Sequence, residues 1–145
     1  MFEVKCLASK TLASQMRMSV SMNLISWGFT GAEFEDLRDN VLSVASELLN
    51  NAIERTPERG ICFRCYPDPQ LKEIFIAVWD SSPGDPCAQM PEISLEGLDL
   101  QPDNFDDNGG WGLPIVMARS DRQGVEHTKT GKWVWAALRF NHHGG

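Results

Sequence analysis

Glu47-Leu48-Leu49-Asn50-Asn51-Ala52 closes the longest amphipathic stretch of the chain, and the fold is read outward from it. Upstream, Phe34, Leu37, Val41, Ala45, Leu48 and Ala52 recur in steps of three and four, the spacing of one buried helix face. The pattern predicts a helix over residues 31–56, halted before Pro57 because a residue preceding proline avoids the helical region. Thr30, with Glu33 three positions on, reads as a capping box at its start. At ~100° per residue, Glu47 and Asn51 lie one turn and about 40° apart on a flank of the apolar stripe, and Arg55 continues the row. The helix therefore buries one face and presents a carboxylate, an amide and a guanidinium along its edge.

On the N-terminal side, Leu12, Met16, Val20, Leu24 and Trp27 predict an earlier helix over residues 9–27, with Gly28 as its stop. A short strand over residues 2–7 precedes it. After the long helix come strands at 60–66 and 73–79, joined by a turn at Pro67-Asp68-Pro69. The second is almost wholly apolar, which predicts a central strand covered on both faces, with Asp80 standing where the run ends. Residues 113–120 form a short helix with Pro114 in its first turn, where a missing N–H is harmless. Closing strands at 124–128 and 132–140 meet through Thr130-Gly131, and the polar tail 141–145 is expected to fray. Strands grouped in hairpins, with helices elsewhere, predict an α+β fold: a two-layer sandwich whose sheet carries helices on one face.

Bulk properties narrow the function. A chain of 145 residues, 42% hydrophobic and 23% charged, is expected to form one globular domain over residues 1–145. Its net charge of -7 argues against a nucleic-acid surface or an acidic membrane as partner. The longest apolar runs, 74–79 and 133–138, fall far below the ~18 residues of a membrane span. Met1-Phe2-Glu3-Val4-Lys5 lacks the basic and apolar segments of a signal peptide, so the cytoplasm is the expected location. Cys62-Phe63-Arg64-Cys65 has the spacing of half a zinc site, yet no second pair follows, and residues three apart on a strand point to opposite faces.

Two more segments share the chemistry of the opening one. Asp80-Ser81-Ser82-Pro83-Gly84 follows the buried strand, where a carboxylate can accept a hydrogen bond from an exocyclic amine and a glycine admits a ligand closely. Gly109-Gly110-Trp111-Gly112-Leu113 opens a helix, where bare N–H groups favour an anion. Magnesium takes oxygen ligands and keeps several waters, so an Asn carbonyl with phosphates would suffice, and a carboxylate one turn away would serve as general base. Each segment alone has an ordinary alternative: a polar helix flank, a surface turn, a glycine-rich helix start.

Taken in order, the three segments resemble the GHKL (Bergerat, histidine-kinase-like) ATPase fold. The chain looks most like the small bacterial anti-sigma-factor serine/threonine kinases within it. Their usual Glu-Leu-Val-Thr-Asn-Ala is matched by residues 47–52, and their Gly-Gly-Arg-Gly-Leu by residues 109–113. Trp27-Gly28 and Gly131-Lys132-Trp133-Val134-Trp135 also fit that group. The resemblance implies a mixed, mainly antiparallel sheet, ATP and magnesium as cofactors, Asn51 as the magnesium ligand and Glu47 as the catalytic base. It implies that Asp80 recognises adenine and that Asn51, Ser82, Gly84, Gly110, Gly112 and Leu113 line the nucleotide, with residues 81–108 including a lid over the phosphates. It further implies binding of a sigma factor and phosphorylation of an antagonist protein, and leaves room for a homodimer. Three residues depart from the family pattern. Ser82 replaces a glycine, Trp111 stands where an arginine is common, and Trp133 stands where a threonine often helps to hold adenine. A tryptophan at 133 either fills the pocket or stacks elsewhere. Trp111, which removes a possible phosphate cation, and Trp133, if it fills the pocket, are the two grounds for the alternative that the chain is a partner-switching binding module with weak or no catalysis.

Overall fold

The computed structural model describes residues 1–56, 59–81 and 113–140. The elements run β1 (Phe2–Leu7), α1 (Leu12–Ser26), a 3-10 turn (Ala32–Phe34), α2 (Glu35–Arg55), β2 (Gly60–Asp68), β3 (Glu73–Asp80), α3 (Leu113–Arg119), β4 (Arg122–His127) and β5 (Lys132–Arg139). The five strands form one sheet in the order β1-β2-β3-β5-β4, with the apolar β3 at its centre, as its composition requires. Every pairing among the described residues is antiparallel, so the expected mixture narrows to a purely antiparallel sheet there. Hairpins link β2 to β3 and β4 to β5, and a hairpin can only join antiparallel neighbours.

The helices cover one face. Val41, Val44, Ala45, Leu48, Leu49 and Ala52 of α2 are buried. They share a core with Leu12, Met16, Val20 and Leu24 of α1 and with Ile61, Phe63, Cys65, Ile74, Ile76, Val78, Val134, Ala136 and Leu138 of the sheet. Full burial of each such side chain is worth roughly 1.5–3 kcal/mol, so the α2 stripe alone anchors that helix far more strongly than intrinsic propensity does. The helix α2 packs on α1, α3, β3 and β5, which makes it the element that the other segments share.

Helix α1 stops where Gly28 was expected to stop it. Gly28, at φ 97°, donates to Ile25 O at 3.0 Å, and Phe29 donates to Leu24 O at 2.9 Å. This is the paired C-terminal arrangement that a left-handed glycine permits. The start of α2 differs from expectation. Thr30 makes no cap: a 3-10 turn intervenes, opened by Gly31 at φ 87°, with no side-chain cap bond, and α2 begins at Glu35. Packing decides the entry. Phe29 meets Phe34 edge-on at 5.4 Å and Phe140 at 4.9 Å, while Arg38 donates to the carbonyls of Phe29 (3.1 Å) and Gly31 (2.9 Å). Burying Phe34 and using Arg38 as a strap replaces the capping box.

Strand β2 runs two residues further than expected, through Pro67 to Asp68, whose carboxylate accepts from the amides of Gln70 (3.0 Å) and Leu71 (3.1 Å) and so makes the turn. The tail 141–145 lies outside the described residues, and so does Pro57. No helix among the described residues is long and apolar enough to cross a membrane.

The two strand cysteines face opposite ways, as the alternation demands. Cys65 belongs to the helix-side core, while Cys62 lies in the next parity on the far face. Burial pushes the Cys65 thiol up to about 12. At pH 8 about one such thiol in 10⁴ is ionised, so native-state maleimide labelling followed by peptide mass spectrometry is expected to spare Cys65, and unfolding in urea to expose it. Because folding holds this thiol protonated, its contribution to stability is complete below about pH 8.5 and is lost as pH rises toward 12.

Candidate functional site

The helix-covered face of the sheet turns from apolar to charged where β3 ends and β5 begins. Ile74, Ile76 and Val78 of β3, and Val134, Ala136 and Leu138 of β5, face the helices. Extending both alternations by one step brings Asp80 and Lys132 to the same face, and they are direct cross-strand partners. The Lys132 ammonium donates to both Asp80 oxygens, at 3.0 Å and 3.3 Å, with the two side chains 0% and 1% exposed. Removing one partner of so deeply buried a pair costs about 3–5 kcal/mol, because the other charge is left without compensation.

The backbone closes tightly around this pair. Gly131 precedes Lys132, and a Cβ added there would stand 2.0 Å from the Asp80 carbonyl oxygen and 2.9 Å from Trp79 Cζ2. Only glycine lets β5 start this close to the end of β3. The turn itself is held by the Thr128 amide donating to Gly131 O at 2.8 Å and by the Trp79 indole donating to Thr128 Oγ1 at 3.2 Å.

On α2, Glu47 is half-buried and Asn51 is 4% exposed. Arg55, one turn on, donates from Nε to Asn51 Oδ1 at 3.1 Å, so the edge row read from the sequence is a real contact. This bond fixes the amide orientation. Asn51 Nδ2 is then buried without a hydrogen-bond partner among the described residues. An orphaned buried donor costs roughly 1–3 kcal/mol, which a ligand acceptor would recover. A phosphate oxygen fits that donor. A metal would take the carbonyl oxygen instead, which keeps one lone pair beside the Arg55 bond. Leu113 opens α3, which packs on α2 and is tied to it by Arg119 donating to Asn40 Oδ1 at 3.0 Å. Through α2, the structure thus joins the Glu47–Asn51 row to the helix that follows the glycine segment and to the strand that ends in Asp80. Ser82, Gly84, Gly110, Trp111 and Gly112, and the lid expected at 81–108 beyond Ser81, lie outside the described residues.

Trp133 stacks elsewhere. It lies on the sheet face away from the helices, opposite Trp79 across the strands, with the Arg64 guanidinium 4.5 Å above its ring. The helix-side position opposite Asp80 belongs to Lys132. In the sequence, Lys132 stands out only as part of the Gly131–Trp135 motif. Its signal was the strand parity, since it shares the phase of Val134, Ala136 and Leu138, where an unpaired lysine would be buried.

The far face carries its own packing. Phe75 stacks on Trp135 at 5.4 Å and lies 5.2 Å from Tyr66, and Arg122 sits 5.6 Å from the Trp135 ring. Arg122 also forms a two-pronged bridge to buried Glu73, at 2.8 Å and 3.0 Å. Arg64 pairs with Glu3, and that contact holds the Glu3 carboxyl below its usual range.

The family model for the histidine kinase-like ATPase domain matches residues 8–138, and the chain belongs to that family. Among solved structures, the RsbU and RsbW domains of Rv1364c from Mycobacterium tuberculosis align with a TM-score of 0.61 at 15% identity, covering 96% of this chain and 32% of that one. This chain therefore spans about a third of that protein's length. The SiaB–SiaC complex from Pseudomonas aeruginosa aligns with a TM-score of 0.59 at 9% identity, covering 95% of this chain and 89% of that one. At these identities the likeness is one of fold. No curated protein sequence matches the chain.

The close approach at Gly131 gives a direct test. Gly131→Ala must pry β5 from β3, so it is expected to destabilise by about 1–3 kcal/mol or more in urea unfolding. Gly60→Ala, with nothing within 4 Å of the added carbon, is expected to stay within about 0.5 kcal/mol of the parent.

Proposed function

We propose that the chain is an ATP-dependent partner-switching regulator that binds a sigma factor and phosphorylates a serine or threonine on an antagonist protein. The observation that carries this reading is Asn51: a nearly buried amide, held by Arg55, whose N–H₂ lacks an acceptor among the described residues. Membership of the histidine kinase-like ATPase family supports nucleotide binding. The two fold neighbours, one described as RsbU and RsbW domains and the other as a SiaB–SiaC complex, support a role exerted on a protein partner.

In this reading Asn51 meets the phosphates through its N–H₂, and its carbonyl oxygen would hold magnesium. When bound, the ion would offset phosphate charge. Asp80 accepts the exocyclic amine of adenine. Glu47, one turn before Asn51 and half-buried, takes the proton of the acceptor hydroxyl as its oxygen attacks the γ-phosphorus. The bond from that phosphorus to the β–γ bridging oxygen breaks, and ADP leaves. Ser82, Gly84, Gly110, Gly112 and Leu113 line the nucleotide, residues 81–108 include its lid, and the protein works in the cytoplasm.

The reading of an inactive binding module loses one of its two grounds, because Trp133 stands on the other face of the sheet. Calorimetry with magnesium and ATP, paired with transfer of labelled phosphate to a candidate antagonist, tests the proposal. Glu47→Gln is expected to lower transfer by about 10²–10⁴-fold while leaving nucleotide affinity within a few-fold. Asn51→Ala is expected to abolish magnesium-dependent binding. Equal, magnesium-independent affinity in the parent and Asn51→Ala would refute the site.

A further inference from the structure

Resting on that nucleotide reading, we infer that Lys132 is an internal competitor for the base site, and that it sets how tightly the protein binds nucleotide. The ammonium engages both oxygens of Asp80, and neither side chain is open to solvent. Asp80 is also the group assigned above to the base. A base amine is a neutral donor, whereas the ammonium is a charged one, and a charge-assisted hydrogen bond is roughly twice as strong as a neutral one. The base therefore competes at a disadvantage. A carboxylate oxygen can accept a second bond, so the competition is for space rather than for lone pairs: the Asp80 and Lys132 side chains are closed to solvent, and a base amine reaches an Asp80 oxygen only where the ammonium that covers it moves.

The sheet leaves Lys132 little freedom to avoid this competition. Its backbone is paired with Asp80 on one side and His127 on the other. Gly131 lies against the Asp80 carbonyl, so β5 cannot slide away at this end. Only the side chain can move. The nucleotide-free state is thus stabilised by an ion pair that the bound state must loosen, and the difference appears as weakened affinity. A protein built this way answers to nucleotide only where nucleotide is abundant.

The test is a gain of binding. Lys132→Thr keeps a hydroxyl donor near Asp80 and removes the charge and the long side chain. Calorimetric titration with magnesium and ADP is expected to show at least tenfold tighter binding by Lys132→Thr than by the parent. Equal or weaker binding by the variant, with the parent binding, overturns the competition and leaves the nucleotide site standing. Absence of binding by both overturns the nucleotide site as well. Should Lys132→Thr fail to fold, the parent protein supplies the second measurement. Nitrogen-15 lysine NMR at low temperature, with the signal assigned through Lys132→Arg, is expected to show a protected Lys132 ammonium that shifts or vanishes on saturation with magnesium and ADP. A protected signal unchanged by saturating nucleotide counts against the competition.

Discussion

Asp80 and Lys132 form the last cross-strand pair on the helix side of β3 and β5, and much of the site follows from their being there. Every earlier helix-facing position of these strands is apolar and belongs to the core. Alternation then obliges residues 80 and 132 to point the same way, under the helix layer, and a lone charge there would be untenable. The sheet satisfies the constraint with one carboxylate and one ammonium, brought together by the glycine that lets β5 begin against the Asp80 carbonyl. A polar corner is thereby set into the edge of an apolar core. On α2, the helix that packs on both β3 and β5, Asn51 is a nearly buried amide.

The two faces of the sheet divide the chemistry. The helix side joins the core to this polar corner. The far side is a layer of Tyr66, Phe75, Trp79, Trp133 and Trp135, laid over alanines and capped by Arg64 and Arg122. A hollow of about 660 Å³ opens on that face, between the β4–β5 turn and the β1–β2 edge, with Trp79 and Trp133 in its wall. Because strand parity separates Trp133 from Asp80, bulk at position 133 does not bear on the corner where Asp80 sits.

Much of this was legible in the sequence, because the signals were periodic. The stripe from Phe34 to Ala52 gave α2 and its buried face, the 47–51–55 row gave the Arg55–Asn51 contact, and the apolar run before Asp80 gave the central strand. Gly28 ended α1 because its left-handed backbone is a local property. What escaped were features decided by tertiary packing. The Thr30 box lost to Phe34 packing on Phe29, together with the Arg38 strap. The role of Lys132 required the β3–β5 register, which no local pattern states. Even so, the parity it shares with Val134 pointed inward.

In the proposed function, the helix-side end of β3 and β5 holds a nucleotide together with Asn51 and Asp80. A crystal structure of the protein with magnesium and a non-hydrolysable ATP analogue measures it directly. Expected are the base amine within hydrogen-bond distance of Asp80, Lys132 drawn off at least one carboxylate oxygen, and a phosphate oxygen on Asn51 Nδ2. An analogue bound elsewhere, with Lys132 still on both Asp80 oxygens and Asn51 Nδ2 still without an acceptor, would contradict it.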